Sequence, residues 1–115
     1  MDTSKLLHIY GQHVWHDETY IVGNRQGLEA LRAAIDEALK GEKAGASLAL
    51  VEVADGESYS AVVALEDSPL DGEIWQNLFP PYQNCEREAK DTDVFPALLP
   101  CVMKALDKAY GTDED

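Results

Sequence analysis

The sequence predicts an α+β fold: a two-layer sandwich whose antiparallel sheet of about four strands carries two helices, in the order β-β-α-β-β-α. Two segments, 25–40 and 95–110, repeat apolar residues at spacings of three and four, which is typical of amphipathic helices. Two others, 46–54 and 58–66, alternate around a glycine-containing turn, which is typical of a β-hairpin. The 115 residues contain no repeat or linker, so we expect one domain, 1–115, with both helices on one face of the sheet.

The first two strands are predicted from short apolar segments that end at glycine. Leu6 to Tyr10 stops at Gly11, and Thr19 to Val22 stops at Gly23. The second segment consists of β-branched and aromatic residues, which favour strands. The residues between them are mostly polar, so a hairpin connection is expected there.

The segment 25–40 is the clearest helix in the sequence. Asn24 is placed to cap its first turn, and Gly41 follows its last turn, where a left-handed residue commonly ends a helix. Gly27 is expected to weaken the first turn, since glycine is a poor helix former. The residues that define the apolar face are Leu28, Leu31, Ile35, Ala38 and Leu39.

The segments 46–54 and 58–66 flank the turn Asp55-Gly56-Glu57. Ala49, Val51 and Val53 share one face of the first strand, and one face of the second strand carries Tyr59, Ala61, Val63 and Leu65. The opposite face is apolar as well, so neither strand is one-sided. A central position in the sheet is therefore expected.

The segment 67–93 is expected to be irregular, because its prolines and glycine interrupt every apolar period. The final helix then begins at Pro96 or at Leu99, two alternatives that the sequence leaves open, and ends at Gly111. Its apolar face comprises Leu99, Val102, Met103, Leu106 and Tyr110.

The net charge limits the classes of partner. The chain has 22 Asp and Glu residues against 9 Lys and Arg, a formal net charge of −13. This charge repels nucleic acid and anionic membrane surfaces and attracts basic proteins. No apolar run approaches the roughly 20 residues of a membrane-spanning helix, and residues 1–8 do not resemble a signal peptide. We therefore expect a cytoplasmic protein.

No motif in the chain indicates catalysis. It has no nucleophile elbow and no phosphate-binding loop. Cys85 and Cys101 fit no zinc or redox spacing and are expected to be free thiols. His8, His13 and His16 are the one group that resembles a metal site, but their surroundings lack helical periodicity, so we interpret them as part of a strand and its loop. The expectation is a protein that is not an enzyme and that binds no metal or cofactor.

The best candidate for partner recognition is the segment 71–82, which places three aromatics and two prolines beside acidic residues. Large aromatic side chains with a charged rim are typical of protein interfaces. The alternative is that Trp75 and Phe79 cover one open end of the core. The predicted partner-binding residues, including a second acidic pair, are Asp17, Glu18, Asp71, Glu73, Trp75, Phe79 and Tyr82.

Part of the N-terminal sequence resembles small bacterial immunity proteins, which are encoded beside polymorphic toxins of contact-dependent or type VI secretion. The similar stretches are His8-Ile9-Tyr10-Gly11, then Trp15 to Arg25, then Leu28-Glu29-Ala30-Leu31, all within about the first 40 residues. The resemblance implies a cytoplasmic antitoxin that binds a cognate toxin domain and blocks its active site. Such proteins are often acidic when the toxin is a basic nuclease. The resemblance assigns no role to any individual residue.

Two other classes of function remain as alternatives. An acidic regulatory protein that mimics nucleic acid would share the charge but would need a regular stripe of carboxylates. Arg25, Arg32 and Lys40 interrupt any such stripe on the first helix. A small metal-dependent enzyme would need the three histidines to converge. The oligomeric state stays open.

Overall fold

Strands and helices are mixed along the chain, as the predicted α+β class requires. The structure, a computed structural model, describes residues 4–12, 17–78, 81 and 94–111. The elements are β1 (Leu7–Tyr10), β2 (Tyr20–Gly23), α1 (Arg25–Ala38), β3 (Ala44–Glu52), β4 (Ser58–Glu66), α2 (Glu73–Asn77), a 3-10 turn (Pro96–Leu98) and α3 (Pro100–Tyr110).

The described strands form two antiparallel two-stranded sheets, β1–β2 and β3–β4, so the prediction of one sheet of about four strands is wrong. β1 meets β3 only at its start. There, Leu6 forms an isolated parallel bridge with Glu52, whose N–H donates to the carbonyl of Lys5 at 2.8 Å. Past that point, the His8 ring, instead of its backbone, accepts the hydrogen bond from Ala54 N–H. A continuous ladder between β1 and β3 is therefore lost.

The β3–β4 hairpin confirms the predicted faces. Ala49 lies opposite Ala61, and Val51 lies opposite Tyr59. β4 has the predicted bounds, whereas β3 both begins and ends two residues earlier than predicted. Gly56 lies in the turn with φ +95°, a left-handed conformation that glycine adopts at no steric cost.

The core forms where α1 packs on this hairpin. Leu7 is completely buried there, together with Ala34, Ala49, Val51 and Ala61. By contrast, the exposed fractions of Leu28, Ile35 and Leu39 lie between 39% and 58%, so the predicted apolar face of α1 is only partly buried. The packed side of α1 consists largely of alanines, whose small side chains let the helix lie close to the strands.

The start of α1 is held against the start of β1. Asn24 caps the helix as predicted: its Oδ1 accepts from Gly27 N–H at 2.8 Å. The same Oδ1 accepts from Leu6 N–H at 3.1 Å, and Nδ2 donates to the Ser4 carbonyl at 3.0 Å. One side chain therefore caps a helix and fixes the strand that crosses it.

Gly27 has a different role from the one predicted. It is buried, and a Cβ at this position would lie 1.9 Å from the carbonyl oxygen of Leu6. Glycine is required here because the backbone of the crossing segment approaches the helix too closely for any side chain.

The end of α1 also differs from the prediction. Gly56 is the one described glycine with positive φ, so Gly41 does not adopt the expected left-handed conformation. The chain leaves α1 through a tightened turn, in which Lys40 N–H donates to Glu37 O at 3.2 Å and Gly41 N–H to Ala38 O at 3.3 Å. These bonds satisfy carbonyls that would otherwise be free at the helix end.

α3 begins at Pro100, after the separate 3-10 turn, and buries Leu99 and Val102 at its start. At its other end, the Tyr110 hydroxyl hydrogen-bonds Ser60 Oγ. Because strand residues alternate between faces, Ser60 lies on the face opposite Ala61. α3 therefore reaches the face that α1 leaves open, and the expectation of two helices on one face is not met. Cys101 in this helix is a half-buried free thiol, whereas Cys85 lies outside the described residues.

No helix in the described ranges is long and apolar enough to cross a membrane.

Candidate protein-binding surfaces

Most acidic residues that the structure describes are exposed, and two of them, Glu52 and Glu66, are half-buried. None of these Asp or Glu residues is buried. Within the described ranges, one ion pair forms, between Lys40 Nζ and Glu37 Oε1 at 3.1 Å, and both of its side chains are exposed. The negative charge of the described residues is therefore not neutralised inside the fold, and its field extends into solvent.

The predicted recognition segment contains a short helix, α2, that the sequence did not predict. Asp71 and Glu73 are exposed at its start, and the exposed fraction of Trp75 is 40%. The ring of Trp75 is thus partly packed and partly available for contact. It is therefore neither a fully exposed interface residue nor a residue that only covers the core. Phe79 and Tyr82 lie outside the described residues, and their assignment stays a prediction.

A shallow groove lies between α2 and the start of α3. Val94 N–H donates to Asn77 O at 2.7 Å, and Leu78 forms a parallel bridge with Val94, which holds the two segments together. The groove has a volume of about 230 Å³ and is largely apolar, with Ile74, Leu98 and Leu99 among its lining residues. Glu73 lies at the same groove and gives it an acidic edge.

Asp17 and Glu18, the second predicted acidic pair, are exposed and lie just before β2. Between the described residues, no hydrogen bond or ion pair connects them to the α2 segment. The seven predicted residues therefore do not form one demonstrated surface. The five of them that the structure describes divide between the α2 segment and the residues just before β2.

Sequence reasoning missed a third surface, the β1–β2 sheet itself, here called the β1–β2 arm (residues 7–10 and 20–23). The residues that make it apolar have exposed fractions between 45% and 59%: Ile9, Tyr10, Tyr20, Ile21 and Val22. Residues directly opposite in an antiparallel pair share a face. The register thus places Ile9 beside Ile21 on one face and Tyr10 beside Tyr20 on the other. The arm is apolar on both faces, and only Leu7 at its base is buried.

The feature of the sequence that could have revealed this surface is the lack of alternation between apolar and polar residues. Leu7, Ile9 and Tyr10, like Tyr20 to Val22, do not separate into an apolar and a polar face. Such runs are ordinarily interpreted as strands buried on both sides. Periodicity cannot distinguish that case from an arm that is exposed on both sides.

His8 joins the arm to the end of β3. Its Nε2 accepts from Ala54 N–H at 2.9 Å, so the other ring nitrogen carries the proton and donates to the Tyr10 hydroxyl at 2.8 Å. A metal ion at His8 would have to displace one of these bonds. His13 and His16 lie outside the described residues, and the described ranges contain no group of side chains suited to a metal ion.

An open hollow of about 310 Å³ lies beside the arm. His8, Tyr10, Val53 and Tyr59 are among its lining residues. Tyr59 also donates its hydroxyl to the carbonyl of Leu7, and burial raises the pKa of this phenol above its ordinary value. The hydroxyl is consequently protonated at neutral pH and available as the donor.

Comparison with protein-family models, with curated proteins and with solved structures gave no match.

Proposed function

We propose that the protein is an immunity protein that binds and neutralises a cognate toxin domain by stoichiometric association in the cytoplasm. The observation that carries the proposal is the net charge of −13 together with the carboxylates of the described residues, which are mostly exposed and form one ion pair among themselves and the described cations. Solubility in a small domain requires a net charge of only about 2–8. The partner that best complements such a surface is a basic protein.

The mechanism has two stages. At long range, the negative field accelerates encounter with a basic partner, in favourable cases by about 10–10³-fold. At short range, carboxylates such as Asp71 and Glu73 pair with its basic side chains. Trp75 then docks against apolar surface, as aromatic anchors do in many interfaces. The toxin is inhibited because its basic substrate-binding surface is covered.

The distribution of charge on α1 favours this proposal over the nucleic-acid mimic. Arg25, Arg32 and Lys40 are all exposed on or just after this helix. They interrupt the carboxylates with positive charge, whereas a mimic of the phosphate backbone needs an uninterrupted acidic stripe.

The resemblance to immunity proteins implies that the adjacent gene encodes a toxin-like domain, and the test is co-expression with that domain, followed by calorimetry on the two purified proteins. The wild type should restore growth and bind one to one. Trp75→Ala should weaken binding by about 30-fold or more, which corresponds to the ~2 kcal/mol of an interface hot spot. The double charge reversal Asp71→Lys/Glu73→Lys should slow association by at least about tenfold.

A matched control separates local contacts from total charge. The double variant Asp36→Lys/Glu42→Lys makes the same change in net charge at two exposed positions away from α2. It should affect binding much less than reversal at Asp71 and Glu73. A wild type that neither binds nor protects against the adjacent-gene domain would refute the function. Normal binding by all variants would retain the function and eliminate the α2 surface.

A further inference from the structure

We infer that the outer edge of β2 is a docking site for an extended, basic segment of a partner protein, which adds a third strand to the β1–β2 arm. This inference rests on the proposed function for the identity of the partner. It concerns a different surface from the α2 segment.

The exposure of the arm is the first argument. Tyr20, Ile21 and Val22 are consecutive, large, apolar and each more than half exposed. Across the register, Ile9 extends the face that carries Ile21, and Tyr10 extends the face that carries Tyr20. Contiguous exposed apolar surface on a small protein commonly marks an interaction site.

The edge of β2 is the second argument. β1 pairs with one side of β2, and no hydrogen bond between the described residues reaches its other side. Natural edge strands are usually protected by Lys, Pro, a bulge or an inward-pointing charge. The sequence Tyr20-Ile21-Val22-Gly23 has no such residue, and the register shows no bulge. An extended segment could pair with this edge through its main chain.

The size of the sheet agrees with this argument. An isolated two-stranded hairpin is only marginally stable, and a third strand is generally needed for independent stability. The arm has just four residues in each strand. A partner strand would complete a three-stranded sheet and remove apolar surface from water.

The charges around the arm define the occupant. Asp17 and Glu18 precede β2, and Asp55 and Glu57 lie in the turn beside Ala54, which the His8 ring contacts. All four are exposed, so carboxylates lie before the start of β2 and beside His8, whereas Lys5 before β1 and Arg25 after β2 place exposed positive charge at the other end of the arm. A segment with Lys or Arg beside Asp17 and Glu18 complements that end of the arm, and the net charge of −13 favours a basic segment over an acidic one. A second copy of the chain would instead bring like charges together.

A pair of synthetic peptides tests the inference without the natural partner. The probe is acetyl-Lys-Lys-Thr-Val-Thr-Val-Thr-Lys-Lys-amide, and its counterpart carries Glu at the four Lys positions. We expect the Lys-flanked peptide to shift the backbone amide NMR signals of residues 20–23 in the full chain. Its affinity should exceed that of the Glu-flanked peptide by at least tenfold.

A variant with lysine on the edge supplies the specific control. Ile21→Lys/Val22→Lys, at two exposed positions, should abolish the shifts, because lysine protects an edge strand and repels the basic peptide. Leu50→Lys makes the same kind of change on β3, where the side chain is also exposed, and should leave binding unchanged. Circular dichroism must show that both variants retain the fold.

Four results would overturn the inference. The first two are the absence of shifts at residues 20–23 and equal binding of the two peptides. The third is a set of concentration-dependent shifts in the protein alone, which would indicate that a second copy occupies the edge. The fourth is cross-strand contacts from another segment of the same chain.

The adjacent-gene toxin domain then separates this inference from the proposed function. If it binds the wild type and the Ile21→Lys/Val22→Lys variant equally, the function holds and the arm is not the site. If the peptide binds but the toxin domain does not, the arm holds and the function fails.

Discussion

At the scale of single residues, Gly27 shows how a position that is poor for local structure can be required by the fold. In an isolated helix, alanine is more favourable than glycine by about 1 kcal/mol. In this protein, the missing side chain leaves room for the Leu6 carbonyl, and the 1.9 Å approach of an added Cβ is far inside van der Waals contact. The obstructing atom belongs to the backbone, so it cannot move aside as a flexible side chain would.

We therefore expect Gly27→Ala to lower the free energy of unfolding by about 1–3 kcal/mol, the usual range for overpacking. Urea denaturation followed by circular dichroism measures the change. Ala33→Gly, at an exposed position of the same helix, is the control and should cost about 1 kcal/mol through propensity alone. A Gly27→Ala variant more stable than the wild type would show that propensity dominates and that the close approach is absent.

At the scale of elements, the hydrogen bonds between described residues that hold the β1–β2 arm to the rest of the protein lie at its base. Asn24 connects α1 to Leu6, His8 connects β1 to Ala54, and Tyr59 connects β4 to Leu7. The residues beyond these contacts are the exposed ones. Because the arm is attached through hydrogen bonds to its first residues, both of its apolar faces stay exposed.

Because of the Tyr59 hydrogen bond, the free energy of unfolding depends on pH in the alkaline range. Because burial raises the pKa of the folded-state phenol above the value of about 10 in the unfolded chain, the folded form holds its proton more tightly. Its contribution is present in full below about pH 10 and is lost as the pH rises through the folded-state pKa.

We expect Tyr59→Phe to lower stability at pH 7 by about 0.5–1.5 kcal/mol, the net value of one hydrogen bond. The difference from the wild type should shrink above pH 10, as measured by urea denaturation across pH 7–11. Tyr20→Phe removes a hydroxyl from an exposed ring and should behave as the wild type does. A constant difference between Tyr59→Phe and the wild type at every pH would contradict the assigned role of this hydroxyl.

At the scale of the whole molecule, the net charge of −13 opposes folding through self-repulsion. The described residues offset little of it, since they form one exposed ion pair. Added salt shortens the Debye length from about 30 Å at 0.01 M to about 10 Å at 0.1 M, which screens this repulsion. The same salt weakens attraction to a basic partner.

We therefore expect NaCl between 0.01 M and 0.3 M to raise the Tm of the free protein, by roughly 4–8 °C for each kcal/mol of repulsion removed. Over the same range, the affinity for a basic partner should fall. Differential scanning calorimetry and binding calorimetry measure the two trends. The triple variant Asp17→Asn/Asp55→Asn/Asp71→Asn should show a weaker rise in Tm. Salt-independent Tm values in both proteins would show that charge repulsion is not significant in this fold.

Local patterns predicted those elements whose signals lie within their own residues. The start of α1 follows from Asn24, and the bounds of β4 follow from alternation on both sides of the Gly56 turn. α2 escaped prediction because five residues cannot display a helical period. Of the predicted site, the structure shows exposed carboxylates and a partly exposed Trp75, but it does not join Asp17 and Glu18 to α2.

The amino-acid sequence alone determined the α+β class, the β3–β4 hairpin with its faces, the cap of α1 and the strong acidity, because each depends on neighbouring residues or on a sum over the chain. Only the tertiary structure decided that the strands form two sheets, that α3 reaches the face opposite α1, that Gly27 accommodates a crossing backbone and that the arm is exposed. Those properties depend on which distant segments meet. The hydrophobic effect favours the burial of apolar surface, but it does not determine which of several apolar strands is buried.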